Sequence, residues 1–299
     1  MTGLRVRATL SSGSSRGIFW MLLTMLLFVS MDTAAKYLAQ SYPVLQVVWA
    51  RYVFHALLLA LYLNHRLPGL MRTQRLGIQL FRSLLLLITT VLFFTGLSLI
   101  PLADASAIMF VAPILVTALS IPMLGEKVGP RRWASIAVGF IGALIVIRPG
   151  GDSVQLAALL PFGAACCYAL YQVITRSLSH SDQPLTTLAY TALVGAVVMC
   201  FVVPFEWQTP DTHGWLIMIL IGFLGGVSQF TLIKAFQSAP ATAVTPFSYS
   251  SLIWATLYGF LIFGELPDVW TIVGAIIIAA SGLYIFHREN LKKSDNGPS

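Results

Sequence analysis

The chain has 299 residues, 57% hydrophobic and only 10% charged. A soluble domain carries about 25% charged residues, so the composition excludes an ordinary cytosolic enzyme, a disordered chain and a disulfide scaffold, and indicates an all-α membrane protein. The formal net charge is +7, but the basic residues are scattered through short gaps between apolar runs, which sets orientation in a bilayer and argues against a nucleic-acid partner.

A crossing needs about 20 mostly apolar residues. Ten stretches qualify: 17–38, 44–64, 76–99, 103–124, 130–148, 154–176, 184–205, 214–238, 241–264 and 268–287. Turn-forming residues sit in the gaps, among them Pro43, Pro68-Gly69, Pro101, Gly129-Pro130, Pro149-Gly150-Gly151, Pro210 and Pro240. No gap is long enough for a soluble domain. Arg5, Arg7 and Arg16 ahead of the first run, with Ala34-Ala35 after it, resemble a secretory signal; the repeat described below requires a retained first helix instead. Cys166, Cys167 and Cys200 have no metal or CxxC spacing and read as small core residues.

With the N-terminus inside, thirteen of the 18 Lys and Arg residues fall in inner segments, and only Lys36 and Arg148 in outer ones. Arg51, Arg82 and Lys234 lie within spans. Both termini are therefore expected in the cytoplasm.

A shift of 139 residues superposes the two halves. Pro101 falls on Pro240, Thr117 on Thr256, and Gly125-Glu126 on Gly264-Glu265. Each half has five spans, and an odd number reverses the orientation of the second half. Inverted repeats of this kind belong to secondary transporters, with a site near the midplane. The expected organisation is ten transmembrane helices in two inverted five-helix repeats, 17–148 and 153–287, with tails 1–16 and 288–299.

Ionisable groups inside a span are costly and face a cavity or a partner. Asp32 and Lys36 stand one turn apart on the first span, and Arg51 and His55 one turn apart on the second. Asp32 and Arg51 lie roughly 9 Å and 10 Å below the outer surface at 1.5 Å per residue. An Asp32–Arg51 pair is expected, either pinning two helices or forming a cavity wall. Arg82 faces an inner vestibule or the inner headgroups. Lys234 is near enough to the inner end of its span to snorkel, and Asp104 suits a helix N-terminus. Glu126 and Glu265 read as interface markers at helix ends. Tyr168, Tyr171 and Gln172 share a face of the sixth span, with Gln229 mid-depth on the eighth. Tyr249 and Trp254 are too deep for an aromatic belt; they either pack or stack on substrate. Pro113 and Pro246 free backbone carbonyls inside spans, and Gly222 and Gly226 form a helix contact.

These residues resemble the EamA-type branch of the drug/metabolite transporter superfamily over about 17–287. The resemblance rests on Asp32…Lys36-Tyr37-Leu38, Arg51, Arg82-Ser83, Pro101-Leu102-Ala103-Asp104, Pro113, Gly125-Glu126, Arg132-Trp133 and Gly139-Phe140-Ile141-Gly142. In the second half it rests on Lys234-Ala235-Phe236, Ala239 to Thr245, Tyr249 and Gly264-Glu265. It implies a cavity lined by helices one, three, four, six, eight and nine. Asp32, Lys36, Arg82, Tyr168, Gln172, Gln229, Lys234 and Tyr249 are thereby candidates, while Arg51 lies on helix two. Members resemble carriers for S-adenosylmethionine and riboflavin uptake, and exporters of amino acids and opine-type metallophores.

The expected function is secondary transport of a small carboxylate-bearing or zwitterionic metabolite across the bacterial inner membrane, with export favoured and uptake of a cofactor-like metabolite as the alternative. Arg82, Tyr168, Gln172, Gln229, Lys234, Tyr249 and Trp254 are the candidate substrate contacts. Asp32, Lys36, Arg51 and His55 are the candidate charge-pair or coupling groups. No enzyme motif such as HExxH, GxSxG or Walker A is present, and no cofactor or metal is expected. The expected partners are a small-molecule substrate and the lipid bilayer, for a monomer or homodimer.

Overall fold

The computed structural model describes residues 12–63, 69, 71, 73–124, 130–148, 156–178, 182–239 and 244–295. The helices are α1 (Ser12–Leu38), α2 (Val44–Leu63), α3 (Leu76–Leu99), α4 (Leu102–Met109), α5 (Ala112–Leu124), α6 (Pro130–Ile147), α7 (Leu159–Leu178), α8 (Pro184–Val202), α9 (Thr212–Ser238), α10 (Ser250–Tyr258) and α11 (Val269–Asp295). In hydrocarbon every backbone group must be satisfied within its own segment, which is why these apolar runs are helices. Seven crossings are long and apolar enough to span a membrane, and three shorter apolar helices, Trp133–Ile147, Leu159–Thr175 and Val269–Tyr284, complete the ten. Gly125, Glu126 and Pro240, which carry part of the repeat match, lie outside the described residues.

Two crossings are interrupted. α4 and α5 form the fourth, broken at Phe110 and Val111, whose N–H groups donate to Ala107 and Ile108 at 3.2 and 3.0 Å. The next turn begins with Pro113, which has no N–H to donate to Met109. The ninth crossing starts as a 3₁₀ turn at Thr245–Tyr249 containing Pro246, continues as α10, and ends in a π-turn at Gly259–Phe263. Gly264 then takes φ +69°, a left-handed conformation that only glycine adopts without strain. That turn swings Glu265 back toward the bundle.

The packing follows an inverted two-fold pattern. α1 lies against α9 in one half-pair, and α3 against α7 in its counterpart; α2 meets α9 as α8 meets α3. α2 with α8, and α6 with α11, pair about the axis. The closest approaches use glycine. Gly222 faces the backbone of Phe54 and Gly226 the ring of His55, so this pair is an α9–α2 contact, as its spacing suggests. Gly274 faces the carbonyl of Gly142 between α11 and α6.

The main core joins Val47, Val48 and Ala50 of α2, Leu97 of α3, Ile108 of α4 and Ile114 of α5. Large apolar side chains also cover the outside, including Leu61, Phe201, Phe205, Ile253 and Ile276. On a soluble protein such a surface would aggregate; here it faces lipid.

Candidate functional site

A cavity of about 540 Å³ lies between the two halves. That size suits a small organic ligand. Its walls come from α1 (Met21, Met25, Asp32), α2 (Arg51) and α3 (Thr89, Thr90, Phe93) in the first half, and from the α4–α5 break (Met109, Phe110). The second half adds Tyr168 and Gln172 from α7, Gln229 and Phe236 from α9, and Ser248 and Tyr249 from the 3₁₀ turn. Met109 and Pro113 both line the cavity, and Pro113 has no N–H to give the Met109 carbonyl. Phe110 stacks on Tyr249 with ring centroids 4.7 Å apart, joining the two halves across the site.

Two opposite charges share this wall. Arg51 Nη1 donates to Thr90 Oγ1 at 2.7 Å, and its guanidinium lies 5.5 Å from the ring centroids of both Tyr52 and Phe94. Asp32 is half-buried. The expected Asp32–Arg51 ion pair does not form: no nitrogen–oxygen contact within 4 Å joins them, because Arg51 is drawn to Thr90 on α3. Arg51 nevertheless lines the cavity, although it lies on the second helix.

Lys36, one turn beyond Asp32, turns away from the cavity. Its Nζ donates to Glu265 Oε1 and Oε2 at 2.8 and 2.7 Å and to the Ile100 carbonyl at 2.8 Å. The Leu102 N–H donates to Glu265 Oε2 at 3.3 Å, and Lys36 sits 5.1 Å from the Phe263 ring centroid. Glu265 is thus a working ion-pair partner rather than an interface marker, and the knot closes the bundle at the end away from Met21 and Phe236. At the same end Arg148 is ion-paired with Asp268.

Arg82 is also outside the cavity. It is fully buried. Nη1 donates to Thr175 Oγ1 at 3.1 Å, and Nη2 to the Thr187 carbonyl at 2.6 Å and Thr191 Oγ1 at 2.5 Å. Its guanidinium lies 4.8 Å from the Tyr171 ring centroid. Arg82 therefore ties α3 to α7 and α8, facing neither a vestibule nor headgroups. Beside it Gln79 Nε2 donates to Asp182 Oδ2 at 2.6 Å.

Of the remaining candidates, Tyr168, Gln172, Gln229 and Tyr249 line the cavity. Lys234 lies 5.4 Å from the Phe230 ring centroid and does not. His55 is buried against Gly226, and Trp254 packs against the main core with its indole N–H unpartnered among the described residues. Sequence reasoning missed Thr90, Phe93, Ser106 and Phe110. A threonine or serine in a helix bonds its own i−4 carbonyl, as Thr90 does to Leu86 at 2.9 Å, and so reads as neutral. The one available signal was Pro113, which marks the break.

The EamA-like transporter family model matches residues 15–148 and 155–286. A riboflavin transporter of Vibrio cholerae is 32% identical over 93% of this chain and 95% of its own. An S-adenosylmethionine uptake transporter of Rickettsia bellii is 29% identical over 92% and 94%. A pseudopaline exporter of Pseudomonas aeruginosa is 26% identical over 89% and 94%. A crystal structure 18% identical in sequence superposes with a TM-score of 0.63, covering 93% of this chain and 99% of that one, and so shares the fold. Matched in both halves and built as ten crossings around a cavity, the chain belongs to the EamA-like transporter family and is a multi-pass membrane transporter.

Proposed function

We propose that this protein is a secondary carrier of a small carboxylate-bearing or zwitterionic organic metabolite in the bacterial inner membrane. The observation that carries the reading is the cavity between the inverted halves with Arg51 on its wall. A guanidinium held at membrane depth is costly unless a partner neutralises it, and a carboxylate matches its fork. Tyr168, Gln172, Gln229 and Tyr249 complete the substrate wall. Arg82, Lys36 and Lys234 act on packing and closure instead of contacting substrate.

Transport alternates access to this cavity. It extends toward the end of the bundle marked by Met21, Ser120 and Phe236, and the Lys36–Glu265 knot closes the other end. The excess of Lys and Arg in the segments at the first end makes that end cytoplasmic, with both termini there; the two outer cations, Lys36 and Arg148, are each matched by an acid. A cavity that opens to the cytoplasmic side can be loaded from inside, which suits export, and the likeness to the pseudopaline exporter favours that direction. The second reading is uptake, favoured by the likeness to an S-adenosylmethionine uptake transporter. The pathway lies within one chain, so a monomer suffices for transport and a homodimer would carry two pathways.

Metabolite profiling of cells and medium, comparing a deletion strain with a complemented one, tests the reading. Intracellular accumulation of an anionic or zwitterionic compound in the deletion strain supports export. Persistence of such a compound in the medium supports uptake. No difference in any such compound, together with no gradient-dependent flux in vesicles, overturns the carrier reading.

A further inference from the structure

We infer that a groove on the lipid-facing side of the bundle, separate from the central cavity, holds an anionic phospholipid of the inner leaflet. The groove has a volume of about 420 Å³ and lies between α3, α5 and α7. Val173 and Ile174 of α7 form its buried floor. Ile78 and Phe81 of α3 and Met123 of α5 form its walls, and all three are exposed. A different face of α7 serves the cavity. At about 100° per residue, Tyr168 and Gln172 lie roughly opposite Val173, Ile174 and Ser177 around that helix. The groove is therefore no branch of the substrate site, and its occupant comes from the bilayer.

Its mouth lies at the cytoplasmic ends of the three helices. Gly77, Met123 and Ser177 each stand next to a helix end there, at Leu76, Leu124 and Leu178. Phe81 and Val173 are one turn deeper, roughly 6 Å. The upper part of an acyl chain fits this apolar slot, with its headgroup at the mouth. Positive charge surrounds that position. Arg75 is exposed immediately before α3. Its N–H donates to Thr73 Oγ1 at 3.1 Å, and its carbonyl accepts from the Ile78 and Gln79 N–H groups at 3.0 and 3.1 Å. Thr73 Oγ1 in turn donates to Asp182 Oδ2 at 2.7 Å, so the turn that carries Arg75 is fixed beside the groove. The sequence places Arg176 next to Ser177, and Lys127, Arg131 and Arg132 just beyond the end of α5. These cations outnumber the acids of the same segments, Glu126 and Asp182. Asp182 is already engaged by Thr73 and Gln79. A basic cleft between helices on the cytoplasmic side suits an anionic headgroup. A zwitterionic headgroup would bring its own ammonium against the same cations.

The test uses the full chain in detergent, with phosphatidylglycerol, phosphatidylethanolamine and glycerol 3-phosphate as probes. Native mass spectrometry counts bound lipid, and thermal unfolding reads stabilisation. Phosphatidylglycerol should bind about fivefold more tightly than phosphatidylethanolamine, the gain that one cation near an anionic headgroup supplies. Glycerol 3-phosphate, which has no chain for the slot, should not stabilise the protein. Ser177→Trp, which fills the groove from its exposed rim, should sharply reduce retention of phosphatidylglycerol. Gly77→Leu should do the same, and its added Cβ meets no described residue within 4 Å. Arg75→Gln should abolish the preference for phosphatidylglycerol and leave phosphatidylethanolamine binding unchanged. Arg16→Gln, exposed at the same end on α1, is the control and should keep the preference. Equal binding of the two lipids by the native chain overturns the inference. So does an equal loss of preference in Arg16→Gln and Arg75→Gln, which would make the attraction diffuse. Stabilisation by glycerol 3-phosphate would indicate a phosphate site without a lipid, and unchanged retention in folded Ser177→Trp or Gly77→Leu would place the lipid elsewhere; either result also overturns it.

Discussion

Lys36 and Glu265 join the end of the first crossing to the turn after the ninth, with the ammonium bonded to both carboxylate oxygens at 2.8 and 2.7 Å. Lys36 is 7% exposed and Glu265 30%, so the pair is shielded but within reach of water. Alternating access requires this contact to part when the cavity opens at that end. We expect a Lys36→Met/Glu265→Gln double variant to spend more time open there. Phe93→Cys on the cavity wall, in a background lacking Cys166, Cys167 and Cys200, reports it through an impermeant thiol reagent. Labelling should rise at least several-fold from one membrane face only, compared between right-side-out and inside-out vesicles. Equal labelling on both faces would make the pair a static tie. Glu265→Gln alone should destabilise the protein by roughly 1–3 kcal/mol, because it leaves a buried ammonium underpartnered.

Arg82 holds three helices through three hydrogen bonds. Arg82→Gln removes a charged donor from the Thr187 carbonyl and two hydroxyls, and should cost roughly 2–4 kcal/mol. Arg82→Lys should not restore it, because an ammonium cannot span the three acceptors as a planar fork does. Thermal unfolding in detergent measures both. Ligand affinity per folded molecule should stay within a few-fold of native; a large selective loss of affinity with unchanged unfolding would place Arg82 on the pathway after all.

Gly274 marks a close contact between α11 and α6. A methyl group there would meet the Gly142 carbonyl oxygen at 2.7 Å, and backbone cannot step aside as a side chain can. Gly274→Ala should lower stability by about 1–3 kcal/mol, read as a fall in melting temperature. Gly69→Ala, where the added methyl meets no described residue within 4 Å, is the control and should be near neutral.

Asp211 caps α9 outside the bilayer. It accepts from the Gly214 N–H at 2.6 Å and the Tyr42 hydroxyl at 3.0 Å. The Gly214 hydrogen bond, with that of Tyr42, holds its carboxyl below the ordinary value of 3.8. Since the folded state binds this proton less readily than the unfolded chain, the cap's contribution is complete above pH 3.8 and fades as the pH falls through the lowered value. Asp211→Ala should remove this acid-side slope and leave stability at neutral pH slightly reduced. Parallel unfolding curves from pH 3 to 7 for the two proteins provide the check; identical slopes would show that the cap does not titrate.

The crossings were legible because a run of 20 apolar residues has one viable structure in lipid. The breaks were partly legible: Pro113 and Pro246 announce them, but the turn at Phe110 and the π-turn at Gly259–Phe263 depend on neighbours. The candidate site was harder. Tyr168, Gln172, Gln229, Tyr249 and Asp32 share the cavity as their helices suggested, whereas Arg51 joins them against helix-level expectation. Lys36 and Arg82 leave for partners on other helices. A crossing helix is apolar almost all round, so its pattern does not say which face meets lipid and which meets a cavity.

By itself the sequence determined the membrane class, the ten crossings, the inverted halves and which rare charges would matter, because hydropathy and the cost of charge in hydrocarbon act on local composition. Only the tertiary structure decided who partners whom. Lys36 finds Glu265 at a separation of 229 residues, and Arg82 finds Thr191 at 109. Those choices were made by helix rotation and close packing at glycine contacts, where shape from two distant segments must fit at once. The same packing left Asp32 and Arg51 unpaired on one cavity wall.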